Sequence, residues 1–148
     1  MFRRILVAIA EAEDVSQTLE TVVELAKAFE AEVTVYHARQ RIIAPDEVEE
    51  QETISQSEDF GERMAQHLEK DGVKSRVIVE SVRPNRLADH ILAQAKAAES
   101  DLIVIGGHHP HNLRETVFGD IGRALAHRSV CPVLFMPSVE PKLPGLTG

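Results

Sequence analysis

The sequence predicts an α/β fold, a three-layer sandwich in which a five-stranded parallel sheet lies between helices. Two patterns carry that expectation. Short apolar runs without polar alternation, such as Ile5, Leu6, Val7, Ala8 and Ile9, fit strands buried on both faces. Between these runs lie longer segments whose apolar residues recur at helical spacing. Regular alternation of the two implies right-handed crossovers, a parallel sheet and helices on both faces. At 148 residues the chain is expected to form one domain with a single substantial core.

The elements follow in order. Residues 3–10 read as the first strand. Asp14 or Ser16 can cap the next helix, whose Leu19, Val22, Val23, Leu25, Ala26 and Phe29 make one inward stripe. Residues 33–38 form the second strand, with Val33, Val35 and Tyr36 as β-formers. Residues 39–52 are polar, acidic and hold Pro45, which predicts a mobile loop. Phe60, Met64, Ala65 and Leu68 give a helix over 57–70 that stops at Asp71-Gly72. Residues 73–79 are the third strand. Pro84 opens a helix with Leu87, Ile91, Leu92 and Ala95 buried. Residues 102–105, 120–128 and 133–136 are the fourth strand, the fourth helix and the fifth strand. Three prolines and two glycines from residue 137 onward predict a flexible tail over 138–148. In such sheets a ligand binds beyond the carboxyl ends of the strands, here near 9–13, 38–41 and 106–112.

Composition narrows the function. Sixteen basic against 24 acidic residues give a net charge of −8, which disfavours nucleic acid and anionic membranes as partners. No apolar run approaches the roughly 18 residues of a spanning helix. A chain that opens directly into a strand, with one cysteine, is expected in the reducing cytoplasm.

Four stretches together carry a resemblance: Arg-Arg-Ile-Leu-Val-Ala-Ile at the start, Glu-Leu-Ala-Lys-Ala-Phe-Glu-Ala-Glu-Val-Thr-Val-Tyr-His-Ala, Asp-Leu-Ile-Val-Ile-Gly, and Cys-Pro-Val-Leu. Over residues 1–137 the chain resembles the universal stress protein family. That resemblance implies a Rossmann-like sheet in the order 3-2-1-4-5, akin to the adenine nucleotide alpha hydrolases. It also implies homodimers and a cytoplasmic role in stress survival. One class of the family binds ATP through Gly-x2-Gly-x9-Gly-Ser/Thr after the fourth strand, together with an aspartate ending the first; a second class binds no nucleotide. Gly106 and Gly119 fall on the first and third glycines. His109 replaces the second, Asp120 replaces the hydroxyl residue, and Ala10, followed by Glu11, stands where the aspartate would be. The candidate, degenerate nucleotide site is therefore Ile9, Ala10, Ala38, Gly106, His108, His109, Gly119, Asp120 and Ile121.

Chemistry weakens this site as a phosphate cradle. An ionised Asp120 can only accept hydrogen bonds, and as an N-cap its own oxygen would satisfy the N–H groups a phosphate needs. At about 4 Å, one unit charge repels a phosphate charge by roughly 4 kcal/mol at an effective dielectric near 20. A role for Asp120 in bridging Mg²⁺ to a phosphate is the competing reading. His109 removes a glycine's freedom of φ. His108, His109 and His111 lack a ligand spacing diagnostic of metal and read as a solvated loop, so no metal is expected. They could also make that loop sensitive to pH between about 5 and 8. Ser129, Cys131 and His127 show no base-assisted arrangement, so no catalytic residue is assigned.

The fifth strand, with Val133, Leu134, Phe135 and Met136, is apolar, bounded by prolines and, in the family's order, at an edge. Such an edge is a pairing hazard unless another chain covers it, and these four residues are the expected dimer interface. The sequence-based reading is a non-enzymatic stress-response or regulatory homodimer with weak or absent ATP binding. No cofactor is expected, with ATP or AMP as the alternative ligand on the residual Gly106 and Gly119 loop. An unidentified protein partner fits the same reading. A small flavodoxin-like carrier or enzyme is a third class, without a recognisable cofactor fingerprint.

Overall fold

The computed structural model describes residues 1–9, 15–43, 48–50, 54–106 and 121–136. Strands β1 (Arg4–Ile9), β2 (Glu32–Ile43), β3 (Val48–Glu50), β4 (Ser75–Val82), β5 (Leu102–Gly106) and β6 (Val133–Phe135) alternate with helices α1 (Ser16–Phe29), α2 (Ile54–Lys70), α3 (Leu87–Ala97) and α4 (Arg123–Arg128). A single 3₁₀ turn, Pro84–Arg86, leads into α3, so Pro84 does sit at a helical start. The five parallel strands lie in the order β4-β2-β1-β5-β6, which is the expected 3-2-1-4-5.

β1 occupies the centre because it can be buried on both faces. Ile5, Val7 and Ile9 join the core beneath α1 and α2, with Leu19, Val22, Val33, Val35, Phe60 and Leu68. Leu6 and Ala8 join the second core beneath α3 and α4, with Tyr36, Ile91, Ile103 and Leu125. Each face therefore takes alternate residues of one apolar run. The start of β1 is fixed by a side chain: Asp101 accepts the Arg3 N–H at 2.8 Å and the Arg4 N–H at 3.0 Å. In return the Asp101 N–H donates to the Arg4 carbonyl at 2.8 Å.

Helix ends follow local geometry. Gly72 has φ +80°, and the Val73 N–H closes on the Leu68 carbonyl at 2.9 Å, the glycine-assisted stop expected at Asp71-Gly72. α1 and α3 stop on left-handed glutamates instead, Glu30 at φ 54° and Glu99 at φ 52°. α1 has Val15 at its N-cap with no side-chain capping bond, so Ser16 is not the cap; Asp14 lies outside the described residues. Within α2, Gly61 permits close packing on β4: a Cβ there would fall 2.5 Å from Val77 Cγ1.

The stretch 39–52, expected as a loop, differs. β2 runs on to Ile43 and pairs antiparallel with β3, Ile43 opposite Val48 and Arg41 opposite Glu50. Its β-branched residues Ile42, Ile43 and Val48 favour strand pairing, and Pro45 falls between the two arms.

Tyr36 is 1% exposed, its hydroxyl close to the Glu80 carboxylate. Burial, reinforced by the charge of Glu80, pushes its phenol far above the ordinary value. The α3–α4 pair is joined by Asp89, which accepts from Arg128 at 2.5 Å and from Arg86 at 3.2 Å. The hydrogen bond from Arg128 holds the Asp89 carboxyl below its usual 3.8, against a smaller opposing effect of desolvation. A carboxylate with a depressed folded-state pKa contributes stability above its unfolded value and loses it as pH falls through the folded one. Asp89→Asn should therefore be less stable than wild type at pH 6 and show a shallower loss below about pH 4. Denaturant midpoints across that range check this.

Candidate functional site

The chain order reverses between β1 and β5, so the switch point of the sheet lies where these strands end. Their last residues, Ile9 and Gly106, are register partners. The structure thus brings together two residues singled out from sequence, one at each end of a long separation.

Each has a packing role. Ile9 is 2% exposed, its side chain in the α1–α2 core. Its carbonyl lies 2.8 Å from His37 Nδ1. A carbonyl only accepts, so Nδ1 carries the hydrogen and donates. His37 is fully buried on β2 and tilts against the Phe60 ring, centroids 4.5 Å apart. Gly106 meets the first turn of α1: a Cβ there would lie 2.5 Å from Thr18 Cγ2 and 2.9 Å from Thr18 Cβ. Thr18 is itself buried. The glycine is therefore what lets α1 close against the end of β5, a third use of such a residue beside turns and phosphate approach.

Ala38 and Ile121 are half-buried and pack against the α3–α4 core. One position past Ala38, Arg39 is a buried cation on β2 opposite Ser81 of β4, its Nε and Nη2 donating to Ser81 Oγ at 3.0 and 2.6 Å. Thr18, His37 and Arg39 escaped the sequence reading. His37 and Arg39 continue the alternation of Val33 and Val35 onto the same face, and that is the signal which could have found them. Ala10, Glu11, His108, His109, His111, Gly119 and Asp120 lie outside the described residues, and so does the tail 138–148. Among the described residues no group of three or more His, Cys, Asp or Glu could hold a metal.

Other expectations are placed as follows. Ser129 Oγ donates to the Cys131 carbonyl at 2.7 Å and accepts from the Cys131 N–H at 3.3 Å, a local turn leading into β6. Cys131 is half-buried and packs on the α3–α4 core. On β6, Val133 and Phe135 pack against that core and Met136 is buried in the other one. Leu134, 37% exposed, and Val130, 99% exposed, are the apolar side chains that this edge offers to solvent. At the opposite end of the sheet a groove of about 410 Å³ is lined by Arg4, Glu32, Thr34, Lys74, Arg76 and Glu99. Two of its cations are already paired, Arg4 with Glu99 at 2.6 Å and Lys74 with Glu32 at 3.3 Å. No helix is long and apolar enough to cross a membrane among the described residues.

This doubly wound parallel sheet, reversing between β1 and β5, defines an α/β protein of the class in which ligands bind beyond the carboxyl ends of the strands. The chain belongs to the universal stress protein family, whose model matches residues 1–137. It is 27% identical over 149 residues to universal stress protein YxiE of Bacillus subtilis (strain 168), covering 92% of this chain and 99% of that one. Among solved structures it is similar to universal stress protein UspA from Lactobacillus plantarum, with TM-score 0.68, 17% identity and coverage of 91% and 97%. It is also similar to the universal stress protein from Archaeoglobus fulgidus in complex with dAMP, with TM-score 0.63, 20% identity and coverage of 90% and 96%.

The Gly106 contact makes a direct prediction. Gly106→Ala should cost about 1–3 kcal/mol through overpacking. In a Thr18→Ala background the same change should cost less, because the opposing methyl and hydroxyl are gone and only the contact with the residue-18 Cβ, at 2.9 Å, remains to be relieved. A double-mutant cycle by chemical denaturation measures the difference.

Proposed function

We propose that this universal stress protein acts as a non-enzymatic regulatory or protective homodimer in the cytoplasm, with weak or absent ATP binding. The observation that carries the reading is the contact of Gly106 with Thr18. Packing alone requires that glycine, so its match to the family's first loop glycine does not argue for a phosphate. The sequence adds three departures, Ala10, His109 and Asp120, each in a segment that would hold the nucleotide. Of these, Asp120 brings a carboxylate to the motif position that the family's nucleotide-binding class fills with a hydroxyl, and an ionised carboxylate repels a phosphate charge.

A second reading, an adenine-nucleotide binder that takes ATP or AMP on the residual loop, is favoured by the dAMP complex of the Archaeoglobus fulgidus relative. Among the described residues, Arg39 is a buried cation toward that end of the sheet. Equilibrium titration with ATP and AMP, with and without Mg²⁺, separates the two. Weak or undetectable binding by wild type and a gain of tenfold or more in Asp120→Ser are expected, on the order of the repulsion removed. Submicromolar binding by wild type would establish the second reading.

The dimer is proposed to form through β6. Because Val133 and Phe135 are packed inward, substitutions there would also disturb the core. Leu134→Lys tests the edge itself, and it should lower the average sedimentation coefficient below that of wild type at equal concentration, by removing association through β6, while leaving thermal stability nearly unchanged.

A further inference from the structure

Among the described residues the sheet has a second edge strand, longer than β6. β4 spans eight residues, Ser75–Val82, and pairs only with β2 among the described residues. The direction of its free backbone groups can be derived. The Val33 N–H donates to the Lys74 carbonyl at 2.9 Å, so Lys74 faces β2. In a parallel ladder alternate residues bond to the same neighbour. Arg76, Ile78 and Glu80 therefore direct their backbone groups toward β2, while Ser75, Val77, Val79 and Ser81 direct theirs away from the sheet. Four residues thus present both a donor and an acceptor along this edge.

The side chains select what can add there. Val77, Ile78 and Val79 are half-buried, an apolar centre flanked by one cation and one anion, each two residues from Ile78. When two copies of β4 meet antiparallel with their two-fold axis at Ile78, Arg76 of each lies directly opposite Glu80 of the other. The same register sets Val77 opposite Val79 and Ser75 opposite Ser81. These are the outward-facing residues, the ones that must form the hydrogen-bonded pairs of an antiparallel ladder. Backbone direction and charge therefore agree on one register. A shift of the axis to Val77 or Val79 keeps the hydrogen bonds but separates Arg76 from Glu80; at Val77 it would set Glu80 opposite Lys74, which already pairs with Glu32 at 3.3 Å.

Both charged groups are available for this. Arg76 donates Nε to Thr34 Oγ1 at 3.1 Å and has no carboxylate partner among the described residues. Glu80 accepts from Gln94 Nε2 at 3.0 Å, lies 3.5 Å from His90 Nδ1 and sits beside the Tyr36 hydroxyl, and none of these carries the permanent positive charge of an arginine. Arg76 and Glu80 project from the same face of the strand, as cross-strand pairing requires.

We propose that the β4 edge is a self-association surface whose partner is a second copy of this chain, joined by antiparallel β4–β4 pairing centred on Ile78. About eight backbone hydrogen bonds and two Arg76–Glu80 pairs form in this arrangement. The partner is self-complementary, as a two-fold interface must be. The proposal does not rest on β6 pairing.

The test removes the other edge first. Every chain carries Leu134→Lys and is followed by sedimentation velocity over micromolar to millimolar concentrations. The parent is expected to dimerise. Adding Arg76→Glu places Glu opposite Glu twice, and adding Glu80→Arg places Arg opposite Arg twice; each should weaken dimerisation roughly tenfold or more. Mixing these two variants in equal amounts should restore dimers, because each mismatch then meets its complement; restoration also shows that both variants are folded. A parent that stays monomeric over the whole series overturns the proposal. So does a charge variant that dimerises as well as the parent, or a mixture that shows no recovery.

Discussion

The fold depends on how β1 is held at the centre of the sheet. Its two neighbours grip it at opposite ends by side chain to backbone. Asp101, just before β5, takes the N–H groups of Arg3 and Arg4 at the start, and His37, on β2, donates to the Ile9 carbonyl at the finish. A strand buried on both faces gains much from apolar burial, but the hydrophobic effect is non-directional and does not by itself set register. The two polar clamps do: a one-residue slip of β1 would strand a buried histidine and move Ile5, Val7 and Ile9 to the opposite face. Hydrogen bonds of this kind contribute modestly when made and cost about 1–3 kcal/mol when one partner is left buried and unmet. Correct register is thereby favoured less by reward than by the penalty on its alternatives.

The clamps also locate the crevice. Because β1 is fixed against β5, Ile9 and Gly106 end side by side, and α1 can descend onto Gly106 through Thr18. The same glycine thus answers a packing demand that exists with or without a ligand. A loop can keep its first glycine and helix geometry after its phosphate chemistry has changed, since the sheet continues to require them. That separation between scaffold and chemistry is why membership of the family is firm over residues 1–137 while the ligand is a matter for titration.

Much of the fold was legible because apolar runs and helical spacing report burial directly. β1, α1, β5 and their order along the chain were readable from Ile5 to Ile9, from Leu19 to Ala26 and from Leu102 to Ile105. The clamps were not. His37 and Arg39 are polar residues continuing a strand, and alternation alone cannot tell a buried, bonded polar side chain from the end of the element. The stops of α1 and α3 were hidden for a related reason: Glu30 and Glu99 adopt a left-handed conformation that sequence rules reserve for glycine or asparagine. The structure shows Arg3 near Glu30 at 4.0 Å and Arg4 against Glu99 at 2.6 Å, so these stops also meet the start of β1. The extension of β2 and its pairing with β3 are not legible in the sequence, because the acidic residues and Pro45 around them carry the signature of a loop.

A parallel sheet of this kind has no closed form, and its two edges pose different problems. β6 is three residues long and exposes little beyond Leu134; its shortness itself limits pairing with strangers. β4 is eight residues long and cannot rely on length. Charged residues on an edge ordinarily discourage pairing, and Arg76 and Glu80 do so for any neutral or parallel strand laid beside β4, since each would lose hydration without an opposite charge. The same two residues, placed symmetrically about Ile78, match an antiparallel copy of themselves. Protection against foreign strands and selection of an identical partner are therefore one device, distinguished by the symmetry of the charges. If both edges pair isologously, each protomer carries two unlike two-fold axes, and their relative orientation decides between a closed ring and a growing filament. The twist accumulated between β4 and β6 sets that orientation, so assembly beyond the dimer is governed by the same sheet geometry that fixes β1 at its centre.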